Sequence, residues 1–127
     1  MKEKQISVFA ENKPGILSNI VELLGDADID IRALSLADTT DFGIARMIVS
    51  NTQKALDILK ENGFAVKCTE VVSLDMDDTP GGLSKILKTL KANDISVEYL
   101  YAFVDESGSG ARVVMRVDKP ELIEKLF

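Results

Sequence analysis

A short stretch built on proline and glycine occurs twice in this chain and divides it into two halves. The first copy reads Asn-Lys-Pro-Gly-Ile-Leu-Ser from Asn12, and the second reads Asp-Thr-Pro-Gly-Gly-Leu-Ser from Asp78. The offset is 78 − 12 = 66 residues, and flanking apolar residues keep it, as Leu24 and Leu90 do. A period this long exceeds that of stacked solenoid repeats, which is about 20–50 residues. The sequence therefore predicts a duplicated small domain.

The two predicted repeats, residues 1–69 and 70–127, carry the same order of elements. Apolar alternation indicates strands and an apolar stripe at helical spacing indicates helices. In the first repeat the strands are predicted at residues 5–11, 29–38, 42–49 and from 64, and the helices at 16–27 and 52–62. In the second the strands are predicted at 71–76, 95–104 and 111–117, and the helices at 83–93 and after Asp118. Residues 39–41 and 106–110 are predicted turns.

This order, with both helices of each repeat on one face of an antiparallel sheet, is typical of a ferredoxin-like α+β fold. A shift of the apolar phase between Ile31 and Leu34 predicts a β-bulge or burial of the strand on both faces. Asp118 and Glu121 resemble a capping box for the last helix. The second repeat has no fourth strand, which predicts an open sheet edge. We expect a neighbouring chain, and hence a homodimer, or residues 64–76 to cover that edge.

Composition excludes several classes of function. The net charge of −6 disfavours nucleic acid or an anionic membrane as a partner. The chain has no histidine, which removes the commonest general base and metal ligand, and Cys68 is its single cysteine. No apolar run approaches the roughly 18 residues of a spanning helix, and the N-terminus lacks a secretory signal. These features predict a cytoplasmic protein without a metal or cofactor.

The Pro-Gly stretch has two interpretations. In the first, proline and glycine merely turn a strand sharply into a helix. In the second, the free backbone N–H groups of the helix start bind an anion, next to an approach that glycine keeps open. A polar side chain, Asn12 or Asp78, precedes the proline by two positions in both copies, which favours a binding role.

The stretch Asn-x-Pro-Gly-Ile-Leu, followed by an apolar helix and then by Asp-Ile-Asp-Ile from Asp28, resembles the ACT domain. This family comprises small-molecule-sensing modules of amino-acid metabolism. The resemblance covers nearly the whole chain as two tandem copies. It implies that the repeats pair side by side and that an amino acid binds at their interface. The ligand would lie between the loop after the first strand of one copy and the second strand of the other.

The resemblance places two candidate sites on this chain. The first joins Asn12, Pro14, Gly15, Ile16 and Leu17 to Ile95, Ser96 and Val97, and the second joins Asp78, Pro80, Gly81, Gly82 and Leu83 to Ile29, Asp30 and Ile31. In the first site the N–H groups of Gly15, Ile16 and Leu17 would hold the ligand carboxylate. Asn12 would assist, and Ser96 or a strand carbonyl would accept from the ammonium. In the second, Asp78 and Asp30 would repel a carboxylate, so the first site should prefer neutral amino acids.

Three other groups of residues each allow a structural and a functional interpretation. The acidic residues Asp75, Asp77 and Asp78 lack the spacing of a calcium loop, which favours a solvated loop. Arg46 and Arg112 match in register, and pairing with an acidic neighbour is favoured over an anionic ligand. Tyr99, Tyr101 and Phe103 share one face of a strand, and the acidic charge favours an interface or core role over base stacking.

Taken together, these features predict a non-catalytic amino-acid sensor that alters an enzyme partner or its own assembly. Two alternatives stay open at this point. One is a purely structural dimerisation module without a ligand. The other is a small acyl-phosphate hydrolase on the same fold, which the lack of histidine and of arginine in the Pro-Gly loops disfavours.

Overall fold

The fold is given by a computed structural model that describes residues 2–38, 42–105 and 110–127. The strands are β1 (Lys2–Glu11), β2 (Ile31–Asp38), β3 (Phe42–Val49), β4 (Ala65–Met76), β5 (Val97–Asp105) and β6 (Gly110–Val117). The helices are α1 (Ile16–Asp26), α2 (Thr52–Glu61), α3 (Gly82–Ala92) and α4 (Ile123–Leu126), with a 3-10 turn at Pro120–Leu122. The turns predicted at residues 39–41 and 106–109 lie outside the described residues.

The described chain forms two compact units. The first unit is Lys4–Thr69, and the second groups Glu70–Phe127 with Met1–Glu3. The strand order is β2-β3-β1-β4 in the first unit and β1-β4-β6-β5 in the second, so β1 and β4 contribute residues to both. The division of the chain into two repeats, residues 1–69 and 70–127, stays a prediction.

Each unit buries the apolar faces of its helices against its own strands. In the first unit, Ile20 and Leu24 of α1 and Leu59 of α2 pack on Val8 and Met47, all five without exposed surface. The matched core of the second unit includes Ile86, Leu90, Val72, Val113, Met115 and Ile123. Helices packed on one face of antiparallel strands confirm the predicted ferredoxin-like α+β fold.

The two long helices that follow the Pro-Gly stretches also end alike. Asp28 and Asp94 both adopt a left-handed backbone, with φ of 60° and 55°. Aspartate tolerates this conformation better than most residues, because its short polar side chain bonds locally. The next residue then donates back into the helix, from Ile29 N–H to the Leu24 oxygen (2.9 Å) and from Ile95 N–H to the Leu90 oxygen (3.0 Å). The duplication therefore extends to the backbone of the helix ends.

The second repeat lacks its fourth strand, as predicted, but the edge that this leaves is covered by β1, which lies on that side of β4, and not by a neighbouring chain or by residues 64–76. The two strands predicted at residue 64 and at residues 71–76 are one strand, β4. In the second unit its other neighbour is β6, and the described residues of β1 that belong to this unit are Lys2 and Glu3. Lys2 Nζ lies 3.9 Å from Glu70 Oε1. The start of β1 thus takes the place of the missing fourth strand.

Local predictions have mixed outcomes. The bulge is confirmed as a register shift between Ile31 and Ala33. The capping box is wrong, because the Asp118 carboxylate accepts from the Ser96 N–H (2.9 Å) and the last turn is capped by Lys119 without a side-chain hydrogen bond. Asp118 is therefore held toward β5 and cannot cap the helix. None of the helices in the described part of the chain is long and apolar enough to cross a membrane.

Candidate functional site

The two Pro-Gly stretches form loops with the same backbone. Gly15 precedes α1 with φ of 89°, and Gly81 precedes α3 with φ of 87°. Only glycine adopts this left-handed conformation without a steric cost, which explains its place after each proline. Space is not the reason, since a Cβ at either glycine would meet nothing within 4 Å. The helix predicted from Ile16 begins there, and the helix predicted from Leu83 begins one residue earlier, at Gly82.

The amides of the first loop are only partly available. The Ile16 N–H donates to the Lys13 carbonyl oxygen (3.3 Å), and in the second loop the Gly82 N–H donates to the Thr79 oxygen (3.0 Å). The first turn of a helix leaves its next amides, here those of Leu17 and Ser18, without partners inside the helix. Of the amides proposed to hold a carboxylate, that of Ile16 is therefore already engaged in the turn.

A cavity of about 140 Å³ lies beside the first loop, entirely within the first unit. Its apolar wall comes from the end of β1, from α1, from β2 and from β3: Ala10, Ile16, Leu17, Ile20, Leu36 and Ala45. Glu11, Asn12 and Lys13 add charged and amide groups, and Gly43 leaves room. The first loop thus combines a small apolar space with polar groups, which is the usual composition of a ligand site.

The structure brings only some of the predicted site residues to this cavity. Asn12, Ile16 and Leu17 line it, whereas Pro14 and Gly15 shape the loop without lining it. Asp30 and Ser96 have equivalent backbone roles in their own units. The Asp30 N–H donates to Ser50 Oγ and the Ser96 N–H to Asp118 Oδ1, both at 2.9 Å. The predicted contacts of Ile31, Ser96, Val97 and Asp30 with a ligand stay predictions.

The second loop differs from the first at one decisive position. A Cβ added at Gly82 would overlap the carbonyl oxygen of Asp77 and lie 3.1 Å from its carbon. The residue at the matching position of the first loop is Ile16, whose side chain lines the cavity. The second loop therefore folds tightly onto the backbone of Asp77, where the first carries an apolar side chain.

The acidic residues before the second loop pair with cations of the same unit. Lys85 of α3 donates to Asp77 Oδ2 (3.2 Å), and Arg112 Nε lies 3.6 Å from Asp75 Oδ1. Arg112 also donates to the buried Ser73 Oγ at 2.9 Å. The prediction that Arg112 pairs with an acidic neighbour is confirmed.

Sequence reasoning missed Glu11 and Lys13, which flank Asn12 and line the cavity. Lys13 Nζ lies 2.7 Å from Glu11 Oε2. The hydrogen bond and the charge of the Lys13 ammonium lower the pKa of the Glu11 carboxyl, and the carboxylate in turn raises the pKa of Lys13. The signal available in the sequence was a pair of opposite charges, Glu11 and Lys13, just before Pro14.

We expect the Lys13→Met substitution to raise the pKa of Glu11 toward its ordinary value of 4.5, because the bonded cation is gone. In the parent protein, Glu11 stays ionised as the pH falls until its lowered pKa is reached, and the pair is lost only below that point. Titration of the Glu11 side-chain carbonyl by NMR measures both values. An unchanged pKa in the variant would show that the pair does not form in solution.

The comparisons with known proteins agree with this fold. The model of a family described as an ACT domain pair matches residues 1–126. The chain is a member of the ACT domain pair family. The resemblance predicted from the Pro-Gly stretches is thereby confirmed.

Solved structures resemble this ACT domain pair over almost its whole length. A crystal structure of a protein from Bacteroides thetaiotaomicron is 41% identical, with a TM-score of 0.91 over 98% of this chain and 89% of that chain. The regulatory subunit of aspartate kinase from Thermus thermophilus, in its ligand-free form, is 17% identical, with a TM-score of 0.68 over 98% and 92%. At that identity the second likeness shows the fold alone. A comparison with functionally curated proteins finds no match.

Proposed function

We propose that this ACT domain pair is a regulatory protein without catalytic activity that binds a free amino acid at its first Pro-Gly loop. The cavity within the first unit carries the proposal. Its volume of about 140 Å³ is close to that of an engineered apolar cavity of about 150 Å³ that binds benzene. A space of this size accepts the side chain of an aliphatic amino acid.

Polar groups of the first loop fit the other end of such a ligand. The Asn12 amide can donate to a carboxylate or accept from an ammonium. The Leu17 N–H has no partner inside α1 and can also donate to the carboxylate. We propose that strand residues Ser96 and Val97 of a neighbouring repeat complete the site, as the family resemblance implies. In the second loop, Asp78 and Asp30 would disfavour a ligand carboxylate, so the first loop is the stronger site.

Binding would act on a partner through linkage. A ligand shifts a conformational equilibrium only as far as it binds one state more tightly, and a protein that recognises that state responds. The structures with this fold include a regulatory subunit of aspartate kinase. We propose that this chain also regulates an enzyme from outside it, as a separate cytoplasmic subunit. A homodimer joined through β2 or β5, the outer strands of the two units, is the proposed assembly.

A thermal-shift panel of free amino acids, followed by calorimetry with the best hit, tests this function. We expect uncharged aliphatic amino acids to raise the melting temperature. Asn12→Ala should weaken binding about tenfold, the loss of one charge-assisted hydrogen bond. No response to any amino acid would contradict the proposal and favour a purely structural module.

Gly43→Val provides a variant in which the cavity is filled. A Cβ at Gly43 would lie 3.4 Å from Leu36 Cδ1, in ordinary contact, and Gly43 has no left-handed backbone to lose. Valine also favours a strand such as β3. The variant should keep its fold while its response to the amino acid disappears. A response equal to that of the parent would place the ligand elsewhere.

A further inference from the structure

We infer that Glu11 and Lys13 select a zwitterionic ligand at the cavity of the first unit, and that this ligand is an α-amino acid with an uncharged aliphatic side chain. The inference rests on the proposed function and names its charge-selecting residues. These two residues line the same cavity and carry the two charges that an amino acid complements.

The existing ion pair is well suited to exchange partners. Its atoms are 2.7 Å apart, but the side chains of Lys13 and Glu11 are 68% and 57% exposed. Solvent screens an exposed pair strongly, so separating it costs little. A zwitterion brings its own two charges, so that its carboxylate can bind Lys13 while its ammonium binds Glu11. No charge is then left without a partner.

The same arrangement rejects ligands that carry a single charge. An alkylamine would bind Glu11 but separate Lys13 from its partner, and a carboxylic acid would do the reverse. Specificity of this kind comes from the second charge-assisted contact, which only the zwitterion makes. The cavity adds a second criterion, since a charged side chain placed among Ile16, Ile20 and Ala45 would lose its hydration without gaining a partner.

The second loop lacks this pair of charges. The residues that match Glu11 and Lys13 are Asp77 and Thr79, so the cation at the second position is missing. Asp77 instead pairs with Lys85 from α3 at 3.2 Å. The first loop thus has both charges beside a cavity, whereas the Asp77 carboxylate of the second is paired with Lys85 of α3.

Calorimetry with three related ligands tests the inference on the full chain. L-leucine is the zwitterion, 3-methylbutylamine is the same molecule without its carboxylate, and 4-methylpentanoate lacks the ammonium. We expect the parent protein to bind leucine at least about tenfold more tightly than either analogue. Lys13→Met should reduce the preference over the amine to what Asn12 and the Leu17 N–H provide, and Glu11→Gln should reduce the preference over the acid. Lys13→Arg, which keeps the charge, should retain binding within about threefold.

Lys85→Met is the matched control, because it breaks a comparable exposed ion pair in the second unit. Leucine binding should be unchanged in this variant. If the parent protein binds no amino acid, the proposed function itself fails. If the parent binds leucine and the Lys13→Met and Glu11→Gln variants bind it equally well, the function stands and the charge-selecting role is overturned. Loss of leucine binding in Lys85→Met would likewise overturn it.

Discussion

Replacing Gly82 by alanine is expected to lower the free energy of unfolding of the second unit by about 3 kcal/mol. The added Cβ would overlap the carbonyl oxygen of Asp77, which is backbone and cannot rotate away. The turn must therefore open, and α3 must move at its first residue. Because α3 carries Ile86 and Leu90 of the core, the strain acts directly on the packing of the unit.

Gly25→Ala is the control for this prediction. Gly25 lies inside α1, and a Cβ there would meet nothing within 4 Å. Alanine in a helix is more stable than glycine by about 0.5–1 kcal/mol, so this variant should become more stable. Urea denaturation of both variants gives the two changes in free energy. Equal effects of the two substitutions would show that the tight contact at Gly82 is absent in solution.

The second large effect is expected from the two matched leucines of the helix stripes. Leu24 in α1 and Leu90 in α3 are 66 residues apart, and their exposed fractions are 0% and 1%. Replacing a buried leucine by alanine costs about 2–5 kcal/mol, because transfer free energy is lost and a cavity is left. Small domains are stable by only about 5–15 kcal/mol, so either substitution removes a large part of that stability.

Hydrogen exchange of backbone amides distinguishes the two leucine variants. Leu24→Ala should speed exchange most among the core strands and helices of the first unit, and Leu90→Ala among those of the second. Val21→Ala is the control, since Val21 is 37% exposed on α1 and should change the free energy by no more than about 0.5 kcal/mol. Leu24→Ala and Val21→Ala variants of equal stability would contradict the assignment of the core.

Much of the fold could be predicted from the sequence because local patterns decide it. The apolar stripe that contains Ile20 and Leu24 determines which face of α1 is buried, and its repetition at Ile86 and Leu90 fixes the duplication. The glycines after both prolines are explained by a left-handed backbone that other residues avoid. Asn51 caps α2, since its Oδ1 accepts from the Lys54 N–H at 3.1 Å, and asparagine is among the residues preferred at this position.

The features that the sequence did not reveal depend on contacts between distant residues. The strands predicted from residue 64 and at residues 71–76 are one strand, β4, which is hydrogen-bonded to β1 and β6 in the sheet. Asp118 followed the pattern of a helix cap, but the Ser96 N–H, 22 residues away, is its partner. A local sequence pattern does not show that a distant group binds the same side chain.

The candidate site was predictable only in outline. The Pro-Gly motif and the family resemblance led to Asn12, Ile16 and Leu17, which the structure places around one cavity. Glu11 and Lys13 were missed because surface charges near a turn are common, and only the geometry shows that they share a cavity. The predicted contacts across repeats remain predictions, with the ligand panel as their first test.

The place of Lys2 and Glu3 in the second unit has a consequence for biosynthesis. These residues leave the ribosome before the first unit, whereas Ile123 and the rest of α4 leave it after that unit. The N-terminal half can begin to fold during translation, as leading domains generally do. The second unit can complete its core only after Ile123 has also been made. Nascent chains stalled before α4 should therefore contain at most one protease-resistant body.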